Sequence, residues 1–208
     1  RFAAGLIPST FFTFRKHNMK ALVLKGYGAK QTLEFAELAR PTIKSNEVLV
    51  QIHAAGLNPI DNMIPKGMFK PILKFQLPAV MGSDLAGVVV QVGGAVRRFK
   101  VGDAVFASVF DMDRGSFAEY VAVPESAVAH KPNNISFVEA AALPMVALTA
   151  WQALHERMQL KRGQKIFIPA GAGGIGTIAI QLAKQIGAFV ATTTSTGNVE
   201  LVRQLGAD

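Results

Sequence analysis

A glycine-rich segment between an apolar run and a helical pattern constrains this chain most. Residues 166–169 read Ile-Phe-Ile-Pro, residues 170–176 read Ala-Gly-Ala-Gly-Gly-Ile-Gly, and apolar residues recur with helical spacing over 177–184. Gly171, Gly173 and Gly176 fit G-x-G-x-x-G, in which the glycines permit a sharp turn, close backbone approach to a pyrophosphate, and tight helix packing, respectively. The segment therefore predicts a strand, a phosphate-binding turn and a helix whose N-terminus faces the phosphates.

Short strand-like runs precede this segment. They are separated by glycine and proline residues and cover 21–24, 33–37, 48–54, 86–92, 104–107 and 117–123. Many short strands with turn residues between them are typical of a small antiparallel barrel or sandwich. We therefore predict a mostly β, partly open barrel over this part of the chain.

The periodicity then changes to that of helices. Ser136-Phe137-Val138-Glu139 is a capping-box pattern before an alanine-rich helix that we expect to end at Pro144. Further helices are predicted over 149–158 and 198–205, the second capped by Asn198, with a strand over 189–194 between them. The β-α-β-α order that starts at residue 166 predicts a parallel, doubly wound sheet. Its two strands are fewer than the six or so of the full domain, so we expect an incomplete, truncated domain.

Composition excludes several classes of function. The chain has no cysteine, and its four histidines form no metal-binding spacing, so we predict no metal site. The net charge of +8 comes without a nucleic-acid-binding motif, and we predict no nucleic-acid partner. No apolar run reaches the roughly 18–20 residues that a membrane-spanning helix needs.

Residues 1–18 are treated as an extension or leader outside the fold. They contain no acidic residue and resemble an organellar transit peptide, although they also fit sequence upstream of a start at Met19. We expect a cytoplasmic protein in the second case and an organellar one in the first.

Several motifs together resemble one enzyme family. They are AGLNPID at 55–61, LPAVMGSDLAGVV at 77–89, VGDAV at 101–105, GSFAEY at 115–120, LTA at 148–150 and the turn at 170–176. The chain resembles the zinc-free medium-chain dehydrogenase/reductase enzymes, in particular the quinone oxidoreductase and alkenal reductase branch. The resemblance implies an α/β protein with a GroES-like, β-rich catalytic domain over 19–144. It also implies the first part of a Rossmann domain over 145–208, and a homodimer for the full-length form.

The resemblance also suggests the chemistry. Zinc-dependent members of the family have cysteine at position 58 and Gly-His-Glu at 82–84, where this chain has Asn58 and Gly82-Ser83-Asp84. Hydride transfer to a quinone or an α,β-unsaturated carbonyl needs no zinc, because the electron sink is part of the substrate. The implied partner is a small electrophilic acceptor. A non-catalytic NADPH-binding protein of the same fold and an inactive fragment are the alternatives.

The residues after the second strand bear on the cofactor. An acidic residue at this place binds the ribose 2′-hydroxyl of NAD, but residues 192–199 contain none before Glu200. This favours NADPH, although relatives carry a lysine near position 197 that this chain lacks. The predicted cofactor-binding residues are Ala170, Gly171, Ala172, Gly173, Gly174, Ile175, Gly176, Ser195 and Thr196.

Two catalytic candidates and two substrate-pocket candidates follow from the resemblance. Asn58 would hold the nicotinamide ribose or a substrate oxygen, or else order the turn before Pro59. Thr149 would contact the nicotinamide, or else bond to a carbonyl one turn back. Met63, where many relatives have tyrosine, and Phe69 are candidates for the acceptor pocket, with core filling as the alternative. We interpret Asp61 and Asp84 as structural.

Overall fold

A computed structural model describes residues 18–28, 33–73, 75–110 and 112–208. The predicted extension lies outside the described residues except for Asn18, which is the first residue of a strand. The chain divides into two compact units between Ala141 and Ala142. The predicted domain boundary near residue 144 stays a prediction.

Antiparallel strands make up most of the first unit: β1 (Asn18–Leu24), β2 (Leu33–Ala39), β3 (Glu47–Gly56), β4 (Ala79–Val80), β5 (Asp84–Val92), β6 (Ala104–Ser108), β7 (Tyr120–Pro124) and β8 (Val128–His130). They form a three-stranded sheet, β2-β1-β4, and a five-stranded sheet, β7-β3-β5-β6-β8. Backbone hydrogen bonds from Leu22 to Phe117 (2.7 Å) and from Glu119 to Lys20 (3.1 Å) join the sheets. The predicted partly open barrel is confirmed.

Apolar side chains on one face of the five-stranded sheet form the core of this unit. Val48, Val50, Leu85, Val89 and Val105 are fully buried there. The alternation follows from the two-residue period of a strand, which places every second side chain on the same face.

A buried ion pair links this sheet to the loop before β7. Glu47 is 3% exposed, and its carboxylate accepts hydrogen bonds from the Lys44 N–H (2.9 Å) and from Arg114 Nη2 (2.7 Å). Burial raises the pKa of Glu47, but these hydrogen bonds and the positive charge of Arg114 outweigh it, so the pKa is lowered. The ionised form of Glu47 therefore stabilises the fold.

Short helices complete the first unit: α1 (Pro59–Met63) and α2 (Phe137–Ala141). The predicted capping box at the start of α2 is confirmed. The Ser136 N–H donates to Glu139 Oε2 (2.7 Å), and the Glu139 N–H donates to Ser136 Oγ (3.2 Å).

The second unit consists of α3 (Pro144–Trp151), a π-helix (Gln152–Arg157), β9 (Lys165–Ile168), α4 (Gly174–Ile186), β10 (Phe189–Thr192), a 3₁₀ turn (Thr196–Asn198) and α5 (Val199–Gln204). Strands β9 and β10 are parallel, with Lys165 opposite Phe189 and Ile168 opposite Thr192, as the β-α-β order predicts. Ile168, Ile180 and Val190 belong to the apolar core between this sheet and the helices. Helix α4 ends at Gly187, whose φ of 90° suits glycine.

Three local predictions are wrong. Pro144 does not end the alanine-rich helix; α2 ends at Ala141, and Pro144 is the first residue of α3, where its missing N–H costs nothing. The helix predicted over 149–158 therefore begins at Pro144 and becomes a π-helix at Gln152. The Asn198 side chain does not cap α5; it donates to Ser195 Oγ (3.1 Å) instead.

The sequence patterns also missed β4 and β8, which have only two and three residues. Within the described residues, no helix is both long and apolar enough to cross a membrane.

Candidate functional site

The glycine-rich turn joins the end of β9 to the start of α4. Ala170 has a φ of 53°, so the chain enters the left-handed region at this alanine rather than at Gly171. This differs from the role that the sequence pattern gives to the first glycine.

Close packing leaves no space for a side chain at Gly171 or at Gly176. A Cβ atom on Gly171 would overlap Thr192 Oγ1 and lie 2.9 Å from Ile180 Cδ1. A Cβ atom on Gly176 would lie 2.5 Å from the Ala170 carbonyl oxygen and 2.7 Å from Gly171 Cα. The helix start therefore packs directly on the turn, which is the role expected of the third glycine.

The turn leaves backbone donors available at the start of α4. The Gly173 N–H donates to the Ala170 carbonyl (2.9 Å), and the Thr177 N–H makes the first bond of the helix, to Gly173 (2.9 Å). Between them, the N–H groups of residues 174–176 donate to no protein acceptor in the described part of the chain. Three free donors at the positive end of a helix of thirteen residues suit an anionic group such as a phosphate.

The loop after β10 lies at the same edge of the sheet. Because β9 and β10 are parallel and end together, their carboxyl ends lead into the turn and into the loop that contains Ser195 and Thr196. Thr193 links the two segments: its carbonyl accepts from the Gly171 N–H (2.9 Å) and its Oγ1 from the Ala170 N–H (3.2 Å). Ser195 and Thr196 are exposed.

A buried polar cluster lies in the first unit. Asn58, which precedes α1, donates through Nδ2 to Asp84 Oδ2 (3.1 Å) and Ser83 Oγ (3.4 Å), and its backbone N–H donates to Asp61 Oδ2 (2.8 Å). Asp84 is 1% and Ser83 3% exposed. The structure thus brings together three positions that the resemblance aligned with the zinc site of related enzymes.

The cluster contains no thiolate and no imidazole. Asn58, Ser83 and Asp84 offer an amide, a hydroxyl and a carboxylate, and of these only the carboxylate is a usual zinc ligand. Among the described residues, no three or more histidine, cysteine, aspartate or glutamate side chains group as metal ligands.

Asp61 is buried close to a second carboxylate. Burial raises its pKa, the hydrogen bond from the Asn58 N–H lowers it, and the negative charge of Asp84 raises it again, so the pKa of Asp61 lies above its ordinary value. The hydrogen bond between Asp61 and the N–H of Asn58 orders the turn before Pro59, which agrees with the structural interpretation of Asp61.

The other candidates also make contacts within the fold. Thr149 Oγ1 donates to the Met145 carbonyl (2.7 Å), one turn back in α3. Phe69 packs against the apolar cluster of Leu24, Ile64 and Met81. Met63, the last residue of α1, is half-buried. Their roles in a site stay predictions.

Sequence reasoning missed Thr192 and Thr193 as partners of the turn. The threonine run at 192–194 was informative only through its lack of acidic residues. That both side chains contact the glycine turn follows from the parallel register of β9 and β10, which the sequence alone does not give.

A partly open antiparallel barrel followed by a β-α-β unit with a glycine-rich turn defines an α/β protein of the GroES-like and dinucleotide-binding type. The protein-family model of the alcohol dehydrogenase GroES-like domain matches residues 44–133 of the sequence. A solved alcohol dehydrogenase superfamily protein from Novosphingobium aromaticivorans is 41% identical, with a TM-score of 0.84 over 91% of this chain and 57% of that one.

Two curated relatives are similarly close. The quinone-oxidoreductase homolog of Spinacia oleracea is 42% identical over 91% of this chain and 60% of its own length. The NADPH-dependent alkenal/one oxidoreductase of Arabidopsis thaliana is 44% identical over 91% of this chain and 51% of its own length. Both are described as chloroplastic. Residues 44–133 therefore belong to the alcohol dehydrogenase GroES-like domain family, and the chain as a whole is similar to oxidoreductases of which it spans about half to three fifths.

Proposed function

We propose that the protein is an NADPH-dependent oxidoreductase that transfers hydride to a quinone or an α,β-unsaturated carbonyl without zinc. The observation that carries the proposal is the turn at 170–176, whose three free N–H groups lie at the start of α4. The names of the spinach and Arabidopsis relatives, a quinone-oxidoreductase homolog and an NADPH-dependent alkenal/one oxidoreductase, support the choice of acceptor.

The turn and the loop after β10 would hold the cofactor. The N–H groups of residues 174–176 would donate to the pyrophosphate. The exposed hydroxyls of Ser195 and Thr196 would donate to the 2′-phosphate, and no carboxylate repels it before Glu200. This arrangement supports NADPH over NADH.

The residues of the first unit would bind the reactants rather than activate them through a metal. When bound, the reduced nicotinamide would supply the hydride. Asn58 directs its Nδ2 to Asp84, so it offers the acceptor Oδ1 to a further ligand, which suits a ribose hydroxyl better than a developing enolate oxygen. Met63 and Phe69 of this unit would line the acceptor pocket, and Thr149, in α3 of the second unit, is the other candidate for a nicotinamide contact. Because Met63 cannot donate a proton, we expect solvent to protonate the product.

A titration of the purified chain with NADPH and with NADH tests the proposal. We expect saturable enhancement of NADPH fluorescence, a rise in melting temperature, and weaker binding of NADH. Oxidation of NADPH that depends on 9,10-phenanthrenequinone or an alkenal would support the enzyme. Equal affinity for the two cofactors would contradict the assignment to NADPH.

The hydrogen bonds of Asn58 favour a second candidate. Asn58 donates to Asp84 and Asp61 inside the fold, whereas the turn at 170–176 offers a phosphate site by itself, and a fold does not fix a function. A non-catalytic NADPH-binding protein of the same fold would bind the cofactor in this titration but would not oxidise it with any acceptor. An inactive chain would bind neither cofactor.

A further inference from the structure

Thr192 connects the two strands beneath the glycine turn. It is the last residue of β10 and lies opposite Ile168, the last residue of β9. Its Oγ1 donates to the Ile168 carbonyl at 2.5 Å, just before the chain enters Pro169 and the turn. The hydroxyl therefore fixes the end of β9 from the neighbouring strand.

The same hydroxyl contacts the first glycine of the turn. A Cβ atom on Gly171 would overlap Thr192 Oγ1, so this oxygen fills the space beside Gly171 Cα. Gly171 Cα in turn lies beneath Gly176, where an added Cβ would be 2.7 Å from it. Thr192 therefore contacts Gly171, and Gly171 contacts Gly176 in the first turn of α4.

Thr193 completes the support by occupying two N–H groups of the turn. It accepts from Ala170 through Oγ1 (3.2 Å) and from Gly171 through its carbonyl (2.9 Å). The donors left for a ligand are then those at the start of α4, whose position depends on the packing of Gly171.

We infer that Thr192 is a positioning residue for phosphate binding: its hydroxyl sets the conformation of the turn and, through Gly171, the direction of the N–H groups of residues 174–176. The inference rests on the proposed function, since the phosphate is that of NADPH. Thr192 itself acts through the backbone of the turn.

Thr192→Val and Thr192→Ser test this role. Valine keeps the shape of threonine but removes the hydrogen bond from Thr192 Oγ1 to the Ile168 carbonyl and places a methyl group against Gly171. Serine keeps the hydroxyl and removes only the methyl group. We expect Thr192→Val to weaken NADPH binding about tenfold, which is about 1.4 kcal/mol, and Thr192→Ser to change it less than about twofold, because only valine removes the hydrogen bond to Ile168.

Amide hydrogen exchange of the cofactor-free chain provides a second readout. Thr192→Val should speed exchange over the peptide that covers residues 169–177, whereas Thr192→Ser should not, and exchange in β3 and β5 should stay unchanged in both. Loss of NADPH affinity in both variants alike would overturn the inference, as would unchanged exchange in Thr192→Val.

The two proposals fail in different ways. If the wild-type chain binds no NADPH, the proposed function fails and with it the role in phosphate binding. If the wild-type chain binds NADPH and Thr192→Val binds it equally well, only the positioning role fails.

Discussion

The glycine turn of the second unit and the polar cluster around Asn58 in the first unit use hydrogen bonds in opposite ways. In the turn, three consecutive N–H groups have no protein acceptor among the described residues. In the cluster, Asn58 donates to Asp84 through its side chain and to Asp61 through its backbone, and both carboxylates are buried. The N–H groups of the turn are therefore available to an anionic ligand, whereas the donors of the cluster bond to carboxylates of the protein. A mutation in the turn should therefore act on phosphate binding through these N–H groups, and one in the cluster should act on stability through the buried carboxylates.

The largest effect is expected at Gly171. Gly171→Ala places a methyl group on Thr192 Oγ1 and near Ile180 Cδ1, so we expect a loss of about 2–3 kcal/mol in the free energy of unfolding together with loss of NADPH binding. Chemical denaturation and a fluorescence titration measure the two. Adding Thr192→Ala removes the overlapping oxygen and should recover part of the stability; no recovery would show that this contact is not the cause.

Removing the amide of Asn58 should destabilise the first unit. Asn58→Ala leaves the buried Asp84 carboxylate without the hydrogen bond from Nδ2, and we expect a loss of about 2 kcal/mol. Ser83→Ala is the matched control, because its contact with Nδ2 is longer at 3.4 Å and its loss should cost less. Equal losses in the two variants, measured by urea denaturation, would contradict the comparison.

The raised pKa of Asp61 should be visible in how the stability of the fold changes with pH. Because its pKa is raised in the folded state, its favourable contribution is complete below the ordinary aspartate value of about 3.9 and is lost as the pH rises through the folded-state pKa. Asp61→Asn removes this charge and keeps an acceptor for the Asn58 N–H. We expect it to be more stable than the wild type at pH 7 and no more stable at pH 3, as measured by urea denaturation at the two pH values.

Glu47→Gln should change stability at pH 7 in the opposite direction to Asp61→Asn. Its pKa is lowered, so the wild-type side chain contributes stability above the ordinary glutamate pKa and loses it as the pH falls through the folded-state value. Glu47→Gln should be less stable than the wild type at pH 7, with the difference shrinking in acid. Urea denaturation at pH 7 and at pH 3 compares the two variants, and parallel profiles for Asp61→Asn and Glu47→Gln would contradict at least one of the two pKa directions.

The smallest effect is expected at Gly197, in the loop that would hold the 2′-phosphate. An added Cβ meets nothing within 4 Å there, so a long side chain fits. Gly197→Lys should tighten NADPH binding about threefold at low salt and leave NADH unchanged, because an exposed ion pair contributes little and is screened. Gly197→Gln supplies the length without the charge. An equal gain for both variants would remove the electrostatic explanation.

Local patterns predicted most of the fold. The strand-like runs over 48–54 and 86–92, the capping box at Ser136 and the glycine turn depend on residues close together in the chain, and the structure contains all three. Boundaries were less predictable. Pro144 fits either the end or the start of a helix in sequence, and only the backbone decides between them.

By itself, the sequence determined the β-rich barrel and the parallel β-α-β unit, because these follow from short apolar runs, turn residues and motifs that are contiguous in the chain. Only the tertiary structure decided which groups meet across it. Asn58 and Asp84 are 26 residues apart, and Thr192 Oγ1 and the Ile168 carbonyl are 24 apart. Such contacts depend on strand register and burial. A shift of the strand register by one residue would direct each side chain to the opposite face of the sheet.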